Sequence, residues 1–548
     1  MLRKFIYIAG TLLLLGSIAW EFKLNILMWS MPKIGSIIYP IHENIPTSWS
    51  EGPELDRQDD RPNIILILAD DMGYNDISSH NGGAADGSLK TIHIDALANS
   101  GILFSRGYAA NATCAPSRAS IMTGRYPTGF GYEFTPVPAP GRLILSWIAE
   151  EDDSELKGRI NKELSRNLPP FMEQGMPTEQ ITIAEVLQDA GYYTAHIGKW
   201  HLGHANGMDP LSQGFEDSLS LVGPLYAPEN HPDIVNAKFD TRIDKMIWSL
   251  GQYSARFNEG DLFAPDKYVT DYYTDEALKV IENNKNRPFF LYLSHWAVHN
   301  PLQALQSDVE QMSHMSGHNL QVYAGMIAAL DRSVGKVVAK LKDLEIYGKT
   351  LIIFTSDNGG ANYIELEDIN KPYRGWKISF FEGGIRVPYI VSWPDEINSG
   401  QKSDSPVHHF DIFSTIAAAA KVTPSNEKEI DGVNLLPYIK KEKLSQPHKT
   451  LFWRSGNHQS VLHENWKYII SKKENIRWLF DTSKDPLEKN NIIDNHPEEI
   501  NLIEGLLSKF NSEQKEPLFP SAYEVPILID KYDGQKYEEG DDYIYWSN

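Results

Sequence analysis

Four stretches of the chain are apolar at consecutive positions and end in polar clusters. They are RPNIILILADDMGYND from Arg61, YYTAHIGKWHLG from Tyr192, RPFFLYLSHWAVHNP from Arg287 and TLIIFTSDNGG from Thr350. Between them lie segments of helical character, such as TIHIDALANSG (91–101), ITIAEVLQDAG (181–191) and YAGMIAALDRSVGKVVAKLKDL (323–344). Strands that are apolar throughout have both faces covered, and their alternation with amphipathic helices implies a large, mostly parallel or mixed sheet sandwiched by helices. The pattern predicts an α/β domain over 62–444. After about residue 445 it changes to short strand-like segments with turns, TLFWRSGNHQSVLHENWKYII and RWLFDTSKDPLEKNN, followed by a helical PEEINLIEGLLSKF. This predicts a smaller C-terminal α+β subdomain containing an antiparallel sheet over 445–548. The stretches 135–180 and 224–266 show no regular pattern and read as long functional loops.

Ahead of the domain, Arg3 and Lys4 precede an uncharged apolar run from Phe5 to Trp20, and a second apolar stretch spans Leu24 to Ile38. Positive charge before an apolar run is the pattern of an export signal. Residues 1–38 therefore read as a signal peptide or an N-terminal membrane anchor, with Ser17-Ile18-Ala19 as a candidate cleavage site. Both readings export the protein, as a soluble periplasmic species or one attached to the inner membrane. The proline-containing residues 39–61 read as a linker. A single cysteine rules out an internal disulfide in the 548 residues, which for an exported chain of this size points to a bacterium.

Composition narrows the chemistry. The chain is 41% apolar and 23% charged, as globular domains are. A net charge of -22 argues against a nucleic-acid binder, which would show a basic face. An anionic substrate would have to be captured by local positive charge or a metal.

Ligands of parallel sheets bind outside the carboxyl ends of the strands, and each of the four runs delivers polar residues there. Asp70 and Asp71 follow the first, Lys199 and His201 the second, His299 the third, Asp357 and Asn358 the fourth. Bunched carboxylates repel unless a cation sits among them, and oxygen ligands suit Ca²⁺ or Mg²⁺. Either acidic pair alone is equally a strand end capping the next helix. Lys199 and His201 fall on one side of an extended segment, and Lys377 and Arg118 can join them around an oxygenated anion. Singly, a lysine is more often a solvated surface charge, and His299, close before Pro301, is equally a satisfied core histidine. Cys114, two residues before Pro116, fits a first helical turn. That position favours an anion or a nucleophile, although a free cysteine is more commonly just a small buried side chain.

At these residues the chain resembles the type I sulfatases, formylglycine-dependent members of the alkaline phosphatase superfamily. Cys114-Ala115-Pro116-Ser117-Arg118 matches their C-x-P-S-R signature, with ASIMTGRYP as its usual continuation. ADDMG, GKWHLG, HNP, SDNGG and GWKISFFEGGIRVP follow in the family's order, and FDTSKDPLEKNN is similar to its C-terminal block. The likeness runs from about Arg61 to Asn491.

The resemblance implies an alkaline phosphatase-like fold and a sulfuric ester hydrolase. It implies that a maturation enzyme converts Cys114 to Cα-formylglycine, with Ser117 and Arg118 helping to direct that change. Asp70, Asp71, Asp357, Asn358 and residue 114 would bind Ca²⁺, with Mg²⁺ as the alternative. Lys199 and Lys377 would hold the sulfate, His299 with Lys377 would protonate the leaving oxygen, and Arg118 would orient the aldehyde hydrate. His201 would take the proton that releases sulfate. The extended GRYPTGFGYEFTP is similar to sulfatases acting on algal polysaccharides such as carrageenan, and Trp296, Trp376, Tyr132 and Phe134 are candidates to stack on sugar rings. The same superfamily also contains phosphonate and phosphate ester hydrolases, and a silent glycan-binding homologue is the alternative outside catalysis. The Asn111-Ala112-Thr113 sequon sits beside the candidate nucleophile and reads as unused.

Overall fold

The structure, a computed structural model, describes residues 30, 38–55, 59–80, 82–83, 87–138, 141–142, 155–425 and 429–548. Apart from Ser30 and Ile38, the signal or anchor segment lies outside these residues. Among the described residues no helix is long and apolar enough to cross a membrane.

Five parallel strands form the centre of a ten-stranded sheet. They are β1 (Asn63–Ala69), β2 (Tyr193–Gly198), β3 (Asp217–Leu221), β4 (Phe289–Ser294) and β5 (Thr350–Ser356), in the spatial order β5-β1-β4-β2-β3. The sheet is mixed because antiparallel strands flank this centre, Tyr389–Ser392 beside β5 and Ala255–Phe257 beside β3. Every residue of β1 is buried, and the two faces feed two cores. Ile65 and Ile67 pack with the helices Ile92–Asn99, Val269–Asn283 and His318–Asp343. Ile64, Leu66 and Leu68 pack with the helices Cys114–Thr123, Ile183–Asp189 and Phe410–Ala419. The consecutive apolar positions are thus the consequence of helices on both sides.

In register, Ala69 lies beside Ser356, and Ser294 lies beside Gly198. The residues that follow these strand ends therefore emerge along one edge.

A four-stranded antiparallel sheet follows over Thr450–Asp481. One side packs under the Pro497–Glu513 helix through Val461, Tyr468, Leu479, Ile503 and Leu507. Its other side meets Phe381 of the main domain through Ile469, Trp478 and Phe480. Lys467, wholly buried, ion-pairs with Glu382 at 2.6 Å and Glu488 at 3.1 Å across this junction.

Residues 224–266, which showed no pattern in sequence, contain the strand Ile234–Ala237, the helix Arg242–Leu250 and two short strands that extend the main sheet. Thr241 caps that helix by accepting from Asp244 N; the elements are too short for a periodicity to stand out. In 135–180, the Arg159–Ile160 strand pairs with Tyr523–Leu528 near the chain end. Within 39–61, read as a linker, His42 bridges Phe263 of the outermost strand, and the Trp49 indole donates to Glu276 at 2.7 Å.

Candidate active site

β1 ends directly in Asp70 and Asp71. Neighbouring residues of a strand point to opposite faces, but Asp71 adopts a left-handed φ of 56°, a region Asp visits more readily than most residues. Both carboxylates consequently reach the same thiol: Cys114 Sγ is 3.6 Å from Asp70 Oδ1 and 3.8 Å from Asp71 Oδ1. Cys114 opens a helix whose ten residues are all buried, after Thr113 in an extended conformation. The Ser117 hydroxyl bonds both backbone groups of Asn111, at 2.7 and 3.0 Å, and so closes the loop that presents the cysteine. Gly124 ends the helix at φ 69°, where a Cβ would also press on Phe413. Asn111 is buried, in keeping with an unused sequon.

Three cations interleave with three carboxylates. Arg118 donates to Asp357 at 2.9 Å, to Asp70 at 2.8 Å and to the Lys199 carbonyl at 2.9 Å. Lys199 Nζ lies 2.6 Å from Asp70 Oδ2, and Lys377 Nζ lies 2.7 Å from Asp71 Oδ2. His299 Nε2 is 3.3 Å from Lys377 Nζ and 3.4 Å from Asp71. Asn358 donates to Asp71 Oδ1 at 2.7 Å, and Asp357 Oδ1 accepts from the Asp71 backbone at 3.2 Å.

Burial and mutual repulsion set the protonation states. Burial, then the Asp357 charge, raises Asp70 to about 6 against the pull of Lys199 and Arg118. Asp71 is equally buried, yet Lys377, His299 and Lys199 hold it below the usual carboxylate range. Burial works against the Lys377 charge, but Asp71 together with the other acidic groups around it holds the ammonium well above its ordinary value. Burial, then Asp357, pushes the Cys114 thiol well up. A thiol so placed is a poor thiolate nucleophile.

The donor set fits a hard divalent cation. One ligand atom each of Asp70, Asp71, Cys114 and His299 lies within 4.8 Å of the others, and carboxylate oxygens suit Ca²⁺ or Mg²⁺. Asn358 Oδ1 is buried without a hydrogen-bond partner among the described residues, and an unpaired buried carbonyl is costly unless something binds it. Asp70, raised by burial and then by the Asp357 charge, would be relieved by the same cation.

The nucleophile, metal and charged candidates from the sequence lie at or beside this edge, with one geometric difference. Lys199 and His201 do not share an extended segment, because β2 ends at Gly198 and His201 has a φ of 67°. His201 nevertheless feels Lys199 and Arg118: burial first, then these charges, push its imidazole well below its ordinary pKa. Its Nδ1 is buried and unpartnered among the described residues. Tyr363 was missed. Its hydroxyl sits 3.2 Å from Asp71 Oδ2 and 3.1 Å from Lys377 Nζ, and only its position five residues after Asn358 hinted at it. Tyr132, Phe134 and Trp376 are buried and are packing residues; Tyr132 donates to the His201 carbonyl at 3.2 Å.

The "Sulfatase" family model matches residues 62–422, and "N-sulphoglucosamine sulphohydrolase, C-terminal" matches 375–516. Human N-acetylgalactosamine-6-sulfatase is 30% identical over 399 residues, covering 72% of this chain and 69% of its own. The N-acetylgalactosamine-6-O-sulfatase of Bacteroides thetaiotaomicron is 28% identical over 528 residues, covering 82% and 92%. Among solved structures, Ps i-CgsB superposes with a TM-score of 0.69 at 29% identity, covering 84% of this chain and 94% of its own. It has also been solved in complex with k-i-k-neocarrahexaose. With the signature helix, the strand-end constellation and these matches in agreement, the chain belongs to the formylglycine-dependent sulfatases, sulfuric ester hydrolases of the alkaline phosphatase superfamily.

Proposed function

We propose that this sulfatase hydrolyses sulfate esters on a galactan of the carrageenan type, using Cα-formylglycine at position 114 and a bound Ca²⁺. The carrying observation is the placement of Cys114 Sγ 3.6 and 3.8 Å from two carboxylates, on a helix whose Arg118 joins both strand ends. The carrageenan oligosaccharide bound to Ps i-CgsB supports the substrate class.

Matured residue 114 would supply an aldehyde whose hydrate offers one hydroxyl to attack sulfur and a second whose deprotonation expels sulfate. Asp70, Asp71, Asp357 and Asn358 would hold the cation, which supplies charge to acidify a hydroxyl and to bind sulfate oxygen. Lys199 and Lys377 orient the sulfate, and their fixed charges act where negative charge develops. They also counter, locally, the net charge of -22. His299 Nε2 faces the site 3.3 Å from Lys377 Nζ; burial lowers the imidazole's own pKa, so the proton delivered to the leaving oxygen is held between His299 Nε2 and the Lys377 ammonium. His201, kept neutral by its surroundings, accepts the proton at sulfate release.

The export reading of residues 1–38 belongs to this proposal: the protein works in the periplasm, soluble or tethered at its N-terminus, on polysaccharide fragments that reach it. A maturation enzyme is the one protein partner the mechanism requires. The test is a peptide mass spectrum across residues 107–125 after expression with such an enzyme, with sulfate release assayed on paired sulfate and phosphate esters. Aldehyde mass with sulfate-selective turnover is the expected result. An alkylatable thiol, or preference for the phosphate ester, would refute the proposal.

A further inference from the structure

The indole of Trp296 touches two groups assigned above to the reaction. Its ring stacks on His299 with centroids 4.0 Å apart and planes at 24°, and Lys199 Nζ sits 4.6 Å from the ring centroid. The indole N–H donates to the Pro224 carbonyl at 2.8 Å. The Tyr226 hydroxyl is 2.7 Å from the carbonyl oxygens of both Trp296 and His299. His299 Nδ1 is 2.6 Å from the Asn300 carbonyl, which leaves Nε2 as the nitrogen that faces Lys377 and Asp71.

What remains free in such an imidazole is the swing of its ring. A flat neighbour anchored through its own hydrogen bond removes that swing, because a ring cannot tilt without breaking van der Waals contact. The expectation that Trp296 stacks on sugar thus gives way: its ring is stacked on His299 with Lys199 Nζ against it, and the residue is only 8% exposed.

We propose that Trp296 is a positioning residue: stacked on His299 and facing Lys199, it holds His299 Nε2 at the leaving oxygen and does not itself bind sugar. This rests on His299 as the proton donor of the proposed reaction. A sugar alkoxide is a poor leaving group and needs that proton, whereas 4-nitrophenolate departs without it. Loss of Trp296 should therefore penalise one ester and spare the other.

The experiment measures kcat and KM of the matured holoenzyme and its Trp296→Leu and Trp296→Phe variants on a sulfated carrageenan oligosaccharide and on 4-nitrophenyl sulfate. Trp296→Leu should lower kcat on the sugar ester about 10- to 100-fold, as misplaced catalytic groups do, with KM and aryl-ester turnover nearly unchanged. Trp296→Phe, which keeps a ring against the imidazole, should recover most of the loss. A raised KM on the sugar with kcat unchanged would overturn the proposal and make Trp296 a sugar contact. Equal loss on both esters would overturn it too. Should the Leu variant fail to fold, Tyr226→Phe frees the 296–299 turn and carries the same expectation and the same refutations. His299→Ala separates the two levels of the argument: loss confined to the sugar ester supports the acid assignment, and equal loss on both removes that assignment and the proposal with it.

Discussion

Arg118 Nε meets Asp357 at 2.9 Å while its Nη2 meets Asp70 at 2.8 Å, so one guanidinium spans the carboxylates that end two neighbouring strands. All three side chains are fully buried. A lysine carries the same charge at a single point and cannot make this span. Arg118→Lys should therefore lower kcat at least about 100-fold through displaced carboxylates. Steady-state kinetics beside a melting curve would check it, and near-normal turnover would contradict the spanning role.

Divalent cation binding should be visible without turnover. Removal by a chelator is expected to lower Tm, and titrating Ca²⁺ back should raise it in a concentration-dependent way. Asn358→Ala removes the buried, unpartnered Oδ1 and should shift that titration to higher Ca²⁺. An unchanged titration would take Asn358 out of the ligand set.

Lys467 lies between Glu382 and Glu488, all three buried. Burial, then Lys467, acts on both carboxyls, yet Glu382 is held down at about 2 while Glu488 stands at about 7. Lys467→Met leaves Glu382 with Arg386, at 3.0 Å, as its remaining cation, so the cost should fall toward the low end of the about 3–5 kcal/mol typical when a buried pair is broken. Urea denaturation would measure it. Replacing Glu488 by Gln, already close to neutral, should cost far less.

Much of this was legible in the chain, and the illegible part has physical causes. Apolar runs on β1, β2, β4 and β5 announced the sheet because helices cover both faces, and the acids after β1 and β5 lie where a parallel sheet puts them. The start of the Cys114 helix announced itself through Pro116. Lys467 gave no signal, since a lysine paired in a core has the same letter as one in water. Tyr363 was hidden similarly, and Trp296, named as a sugar-stacking candidate, gave no sign of its contact with His299: aromatic residues are usually core, and only coordinates tell which ones touch a charged site. The helix Arg242–Leu250 escaped because nine residues hardly exceed two turns.

Asp76 offers a pH test away from the candidate ligands. Its carboxyl accepts from Tyr323 at 2.5 Å and Gly73 at 2.7 Å, both on one oxygen, and burial raises it to about 7 despite those bonds. The unfolded chain gives up this proton near the ordinary value of 3.8, while the folded chain retains it. Stability from this group is present at low pH and lost as pH rises from about 4 to about 7. Asp76→Asn keeps the acceptor and removes the titration, so above pH 7 the variant should be the more stable, by an amount on the order of 4 kcal/mol at most. Chemical denaturation at pH 5 and pH 8 would show the gap widening with pH, and a constant gap would refute it.

The segment before β1 has a consequence for the solution behaviour of shortened forms. His42 exchanges backbone hydrogen bonds with Leu262 and Ala264 at 2.8 and 2.9 Å, and Trp49 packs on Phe257. An open sheet edge is a template for pairing with another chain, and here the protein's own N-terminal segment occupies it. A chain trimmed to residue 62, where the family match begins, would uncover that edge and leave Glu276 without the Trp49 donor. Such a form would keep every catalytic residue and still be the one that self-associates.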